Sequence, residues 1–348
     1  MEYFELIQKS YSDYSNYLLS ELLNPGWHNY FYWLIGVSLF FFLLEILKPW
    51  RENQAKFRKD FWLDVFYMFF NFFLFSLIIY NAASDLIVNF FNDALASIGI
   101  NNLLAFEVMS WPLWAHLLIG FVIRDFVQWW THRLLHKVPF LWEFHKVHHS
   151  VEQMGFAAHL RYHWMETVVY RTIEYIPLAL IGITLRDFFI IHIFTLAVGH
   201  YNHSNLMVPK KVLGGVFGLL MGFILSFQLI DGFGWQMQSF LSIEFAALTV
   251  ASVAIGVIAF SPIIKYIFNS PEMHIWHHAY DLPKDKQTGV NFALTLSIWD
   301  YLFKTNYIPY DGKNIKLGFP GIEKFPKSFF SQAFHGFGSK ERKSSDRE

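Results

Sequence analysis

The sequence predicts an all-α integral membrane protein, a transmembrane helical bundle with a histidine-rich cap for two metal ions on its cytosolic side. Three observations predict it. Hydrophobic residues make up 54% of the chain and charged ones 16%, where soluble domains carry about 25% charged residues. Apolar runs close to the ~20 residues of a bilayer crossing recur along the chain. Histidine, present 16 times, is concentrated in three clusters: His132-Arg-Leu-Leu-His136, His145-Lys-Val-His148-His149 and His274-Ile-Trp-His277-His278.

Composition narrows the chemistry. A net charge of -1 and the absence of a basic stripe with spaced aromatics argue against a nucleic-acid partner. Aromatics at 20%, 40 of them Phe, suit lipid contact and interfacial belts. With no cysteine in the chain, thiolate metal sites, Fe–S clusters and Cys nucleophiles all drop out. Any bound metal is held by imidazole, carboxylate or water.

Residues 1–29 lack the basic start and continuous apolar core of a signal peptide. Phe4, Ile7, Tyr11, Tyr14 and Leu18 recur at three- and four-residue spacing, which predicts an interfacial helix on the membrane surface, against the alternative of a loosely ordered arm. Residues 30–118 supply membrane helices: spans are expected at Tyr30–Leu47 and Phe61–Tyr80, with a third, Trp111–Trp130, running into His132. Lys48, Arg51, Lys56, Arg58 and Lys59 crowd the loop between the first two, whereas 81–110 has neither Lys nor Arg. By the positive-inside rule that first loop and the histidines are cytoplasmic and the amino terminus lies outside, as in a bacterial inner membrane or the endoplasmic reticulum. Two further helices, Trp164–Leu185 and Asp187–Leu206, are expected to meet at Arg186-Asp187 as a hairpin, with Pro177 kinking the first. A second hairpin, over 212–260, pairs Val212–Ile230 with Ser239–Phe260. Residues 311–348 read as a tail, disordered in its charged end beyond Ser339.

The clusters carry the chemistry. From residue frequency alone, one His-x-x-His-His pattern is expected roughly 0.03 times in such a chain, yet it occurs twice. Histidines three or four apart share a helical face and can address one ion. Eight of them, His132, His136, His145, His148, His149, His274, His277 and His278, exceed the four ligands of a tetrahedral site and suit two ions with open positions. Imidazole does not select among Zn, Cu, Fe and Ni. The Glu of a zinc-peptidase motif is absent, because Arg133 follows His132. Asp125 falls on the helical stripe of Trp129, His132 and His136, and either accepts from a metal-bound imidazole or pairs with Arg124. His200 and His203 are spaced to ligate as well, while His28, His116, His192 and His335 read as core histidines. His159 and His163 are four apart, and His163 with Glu166 is given a supporting or substrate-side role.

Taken together, Asp125-Phe, His132-Arg-Leu-Leu-His136, Leu141-Trp-Glu-Phe-His145-Lys-Val-His148-His149-Ser150, Arg161-Tyr-His163 with Glu166, and His203-Ser-Asn205 resemble the fatty acid hydroxylase/sterol desaturase superfamily. Ser270-Pro-Glu-Met-His274-Ile-Trp-His277-His278, Asn291-Phe and Ser297-Ile-Trp-Asp300-Tyr-Leu-Phe303 extend the resemblance, which spans about 120–305 in the family's order. It implies a catalytic unit over 119–310 that holds two non-haem iron ions in histidine ligands, His203 among them. It also implies O2-dependent hydroxylation, with desaturation as the second reaction, of a fatty acyl chain, sterol or related lipid. A separate ferredoxin or cytochrome b5-like protein would supply electrons. The chain departs from the family pattern in the hairpin 212–260, in Trp164 where Pro is common, and in Ala293 and Lys304 where Gly is usual. The competing reading is a histidine-rich zinc protein of the membrane: a hydrolase, a scaffold or a metal transporter.

Overall fold

In the computed structural model the described residues are 2–27, 29–71, 110–233 and 243–337, with Asp93, Ala96, Ser97, Gly99 and Val108. Their regular elements are all helical, with no strand among the described residues and only isolated bridges such as Pro49 with Leu206. Helices α1 (Glu2–Leu23), α2 (Tyr30–Leu47) and α3 (Phe61–Phe69) lead the chain. The site is then built on α4 (Leu113–Lys137), α5 (Pro139–His149), α6 (Trp164–Leu180) and α7 (Leu185–His203). The helices α8 (Lys210–Phe233) and α9 (Ile243–Ile255) follow, and the short α10 (Pro271–His277) and α11 (Ile298–Leu302) close it.

Of these, α2 alone among the described residues is both long and apolar enough to cross a membrane by itself. The second expected span begins with α3, and its residues 72–80 lie outside the described residues, as do His28, most of the loop 81–110 and the tail beyond Ser339. The third expected span is helical, but it buries Arg124, Asp125 and Gln128 in the interior. That burial follows from cost, since an ionisable group is expensive against lipid and is tolerated against protein.

The turn between α6 and α7 falls earlier than Arg186-Asp187. Gly182 takes the left-handed conformation at φ 72°, which glycine adopts without the Cβ clash other residues meet. Thr184 then caps α7, its hydroxyl accepting from the Asp187 N–H at 3.2 Å and so satisfying one of the free donors of the first turn. Pro139 and Pro271 start α5 and α10 at the first turn, where a missing N–H costs nothing. Both histidine-bearing helices therefore begin at fixed points.

One core cluster joins α2, α3 and α7 through Leu34, Phe41, Phe61, Phe156 and Leu196. A second gathers Trp50, Met154, Ile275 and Trp276 around the last histidine cluster. The segment 311–337 folds back onto the core: Phe319, Ile322 and Phe325 pack with Tyr67 and Val147, and the Ala333 carbonyl accepts from His163 Nε2 and Trp164 Nε1, each at 2.8 Å.

In the hairpin, α8 and α9 approach closely along Gly214, Gly218 and Gly222. A Cβ on Gly218 would stand 2.2 Å from the Ser252 carbonyl oxygen. Small residues let backbones touch in this way. The outer faces carry exposed Val216, Leu220, Phe223, Val250 and Ile258.

Candidate metal centre

Nine of the predicted ligands converge, from α4, α5, α7 and α10 and the residue after it. They form two groups: His132, His136, His145, His149 and His277 in one, and His148, His203, His274 and His278 in the other. In each group one ligand atom per ring lies within 4.8 Å of all the rest. The second cluster is divided between them, His145 and His149 going to the first group and His148 to the second. Helical geometry allows this, because i+3 and i+4 flank the direction of i from opposite sides of one face, so the two can lean toward different ions.

Five of the nine rings are oriented from behind. His132 Nδ1 donates to the Phe292 carbonyl at 2.7 Å, His277 Nδ1 to Val290 at 2.8 Å, His148 Nδ1 to Arg161 at 3.0 Å and His203 Nδ1 to Gly199 at 2.8 Å. His145 Nδ1 meets the Glu166 carboxylate at 2.7 Å. A carbonyl oxygen, like an ionised carboxylate, can only accept, so in a neutral ring bonded to one of these Nδ1 carries the proton and Nε2 is a bare lone pair; burial pushes the Glu166 carboxyl up to about 8, and His145 follows the rule when that group is ionised.

Two pairs of these lone pairs then face one another: His132 and His145 Nε2 at 3.1 Å, and His148 and His203 Nε2 at 3.3 Å. With Glu166 ionised, neither ring of a pair has a proton to offer, so the contact is repulsive unless a cation lies between. His274 Nε2 adds contacts of 2.9 Å to His203 and 3.2 Å to His278, and His149 Nε2 lies 3.1 Å from His277. Burial holds the rings neutral. It draws His132 down to about 4, against the bond to the Phe292 carbonyl, which acts the other way, and His148 to about 3, with His132 adding to the effect. For His145, His149, His274, His277 and His278, burial first and the adjacent rings second push the value well below 6.5. A set of deprotonated nitrogens with their backs fixed by hydrogen bonds fits a divalent metal.

The remaining predicted residues fall elsewhere. His200 joins neither group: its Nε2 lies 3.0 Å from Ser38 Oγ and its Nδ1 2.9 Å from His159 Nδ1. Asp125 touches neither an imidazole nor Arg124. It accepts from the Leu296 N–H at 3.1 Å and from Trp299 Nε1 at 2.9 Å, fixing the loop that supplies the Phe292 and Val290 carbonyls. The carboxylate behind a ligand is Glu166, which also accepts from the His163 N–H at 3.2 Å. Both ring nitrogens of His163 are engaged, with the Ala333 carbonyl and the Met165 N–H. His116 bonds Asp187, His335 bonds Glu143 and His192 stacks on Phe188.

Asp300 is a residue whose role the sequence reading missed. It accepts from Trp129 Nε1 (3.0 Å), the Phe292 and Ala293 N–H groups (2.9 and 2.8 Å) and Thr305 Oγ1 (2.5 Å). Its signal was present, an acidic residue inside an otherwise apolar Ile-Trp-Asp-Tyr-Leu run. A partly open cavity of about 160 Å³ meets both groups, lined by His132 and His145 from one and His148, His203 and His274 from the other.

Residues 117–219 match the fatty acid hydroxylase family. The match takes in the first two clusters and His203, and the geometry adds the third, His274–His278. The chain is also similar to the ornithine lipid hydroxylase OlsE of Rhizobium tropici, 26% identical over 234 residues, or 67% of this chain and 54% of that protein. It thus aligns with about half the length of this curated relative. No solved structure matches.

Proposed function

We propose that the chain, whose residues 117–219 match the fatty acid hydroxylase family, is a membrane-bound lipid hydroxylase. Its two histidine groups hold two iron ions, and it uses O2 with electrons from a separate donor of the ferredoxin or cytochrome b5 kind. The observation that carries this reading is the pair of facing lone-pair sets opening onto one cavity.

The balance is that of a monooxygenase. One C–H bond of the lipid becomes C–OH, the second oxygen atom leaves as water, and two electrons and two protons enter from the donor and solvent. Iron, when bound, supplies the redox change that O2 activation requires and zinc lacks. The chain's own residues do the rest. Phe292, Val290, Arg161 and Gly199 fix the tautomers through their carbonyls, and Glu166 does so for His145. The cavity walls hold the reacting C–H bond near the centre, which is where proximity gains rate.

A multi-pass topology accompanies the proposal, with the histidines on the cytoplasmic side, the amino terminus outside, and a catalytic unit over 119–310. Helix α2 and the apolar outer faces of α8 and α9 support it. The relative's name makes an ornithine lipid the first substrate to try.

The test is metal analysis of protein extracted from membranes and reconstituted with Fe(II), followed by mass spectrometry of lipids after exposure to O2 and a reductant. Two irons per chain and a lipid heavier by one oxygen are expected. A lipid lighter by two hydrogens would mean desaturation instead. Stoichiometric zinc with no O2 uptake would end the proposal in favour of a zinc protein.

A further inference from the structure

Helix α3 lies outside the residues that match the family, yet it grips the stretch of backbone that stands behind the second histidine group. Asn71, two residues past its end, donates Nδ2 to the carbonyls of Leu160 at 3.2 Å and Tyr162 at 2.9 Å. The residue between those two, Arg161, is extended at φ -79° and ψ 90°. Extended backbone turns successive residues to opposite sides. Arg161 accordingly presents its own carbonyl to His148 Nδ1, at 3.0 Å.

The side chain of the same residue is held by the start of α3. Arg161 Nη1 lies 3.2 Å from Asp64 Oδ1 and 3.4 Å from Asp60 Oδ2, and Arg58 pairs with the other oxygen of Asp64. Arg58, Asp64, Asn71 and Arg161 are each at most 4% exposed. Two guanidiniums thus meet two carboxylates, the pairing that buried charges require. Asp64 and Asn71 are seven residues apart, about two turns, so both address the 160–162 stretch from one side of α3.

We propose that Asp64 and Asn71 are positioning residues for the second histidine group, acting on His148 through Arg161. One holds the Arg161 side chain and the other its two flanking carbonyls, and together they aim the single carbonyl that keeps the His148 proton on Nδ1. With either lost, the ring is free to turn or to carry its proton on Nε2, and that nitrogen is no longer offered to a metal. The first group is spared, because His132 and His277 lean on the Phe292 and Val290 carbonyls. The inference rests on the two-ion reading of the histidines, and not on iron, O2 or a lipid.

The probe is Co(II), added to full-length metal-free protein in detergent micelles, counted by native mass spectrometry and titrated by its visible absorption. In His277→Ala, where the second group alone is left to bind, adding Asp64→Asn or Asn71→Leu should weaken the remaining site by about tenfold or more. In His148→Ala, where the first group alone is left, the same changes should leave affinity where it was. Tyr67→Phe removes the bond to Gln332 from the same helix. It should weaken neither site even where it lowers the melting temperature as far, which separates positioning from stability. Equal weakening in both backgrounds, or none in His277→Ala, overturns the proposal.

Should both α3 variants fail to fold, the coupling is read in the other direction, since it must be mutual. Co(II) bound to His277→Ala should slow amide exchange over α3, and Co(II) bound to His148→Ala should not. Exchange slowed alike in both, or in neither, overturns the proposal. An unmutated protein that takes up no Co(II) ends the two-ion reading and this inference with it. Two ions in the unmutated protein, with α3 variants that do not distinguish the groups, overturn this inference alone.

Discussion

At the scale of single residues, the centre is set by what stands behind each imidazole. Glu166 is the only carboxylate hydrogen-bonded to a ligand ring among the described residues, taking His145 Nδ1 at 2.7 Å. Removing such a partner commonly costs 10–100-fold in metal affinity, on the order of what Glu166→Ala should cost the first group alone. Metal titration would show one tight and one weakened site, and two unchanged sites would refute the assignment. The ligands divide in the same way. His277→Ala should empty the first group and His148→Ala the second, each leaving about one iron per chain and no turnover, whereas His335→Ala, at the Glu143 pair, should leave both. Most of the histidine convergence was legible because spacing of three and four on a helix leaves rings little choice of face. His200 shows where that ends. It has the same spacing to His203, yet Ser38 and His159 claim its nitrogens, and nothing in the local sequence announces partners 162 and 41 residues away. Asp125 shows the same limit: the helical stripe gave its direction but not what would pack against it, whereas Glu166, expected in a supporting or substrate-side role, stands behind His145.

At the scale of elements, the stretch from Gly289 to Asn306 acts as a bracket. Asn291 at φ 53° ties it to α10, its Nδ2 donating to the Met273 and Tyr307 carbonyls at 2.8 Å, and Asp300 gathers four donors. Asp300→Ala would strand those donors in a dry interior at about 1–3 kcal/mol each if nothing relaxes. It would also release the backbone that holds the Phe292 and Val290 carbonyls against His132 and His277. The expected result is a large fall in melting temperature of the metal-free protein together with weakened binding in the first group. A loss of stability with unchanged metal affinity would show that the bracket does not position ligands. Lys304 makes the opposite case. It occupies the left-handed region at φ 57°, a conformation costing about 1–2 kcal/mol in a residue with a Cβ. Lys304→Gly should therefore be neutral to stabilising by up to about 1 kcal/mol after the entropy glycine brings to the unfolded chain, as denaturant unfolding would show. Motif order made this stretch visible in the sequence. Its function as a bracket was not, since that depends on backbone groups whose residue types carry no signal.

For the whole molecule, the decisive property is that many neutral imidazoles are packed into one dry volume. Burial draws His132 to about 4 and His148 to about 3, and pushes the seven further members of the two groups well below 6.5. In the unfolded chain each titrates near 6.5. Between that value and the depressed folded ones the unfolded state binds more protons than the folded state, so stability rises with pH across the window and is lost as pH falls below about 6.5. Each such histidine removes up to about 1.4 kcal/mol per pH unit, and because several act together the fall should be steep. Metal-free protein in detergent should therefore show its melting temperature dropping sharply between about pH 6.5 and pH 5, with little change from pH 7 to 8. Protons and metal compete for the same nitrogens. The stabilisation gained from added Fe(II) or Zn(II) should accordingly be largest near neutrality and shrink over the same acidic window. A melting temperature flat from pH 7 to 5, or a metal-induced gain independent of pH, would mean that the rings are open to water rather than gathered around two ions.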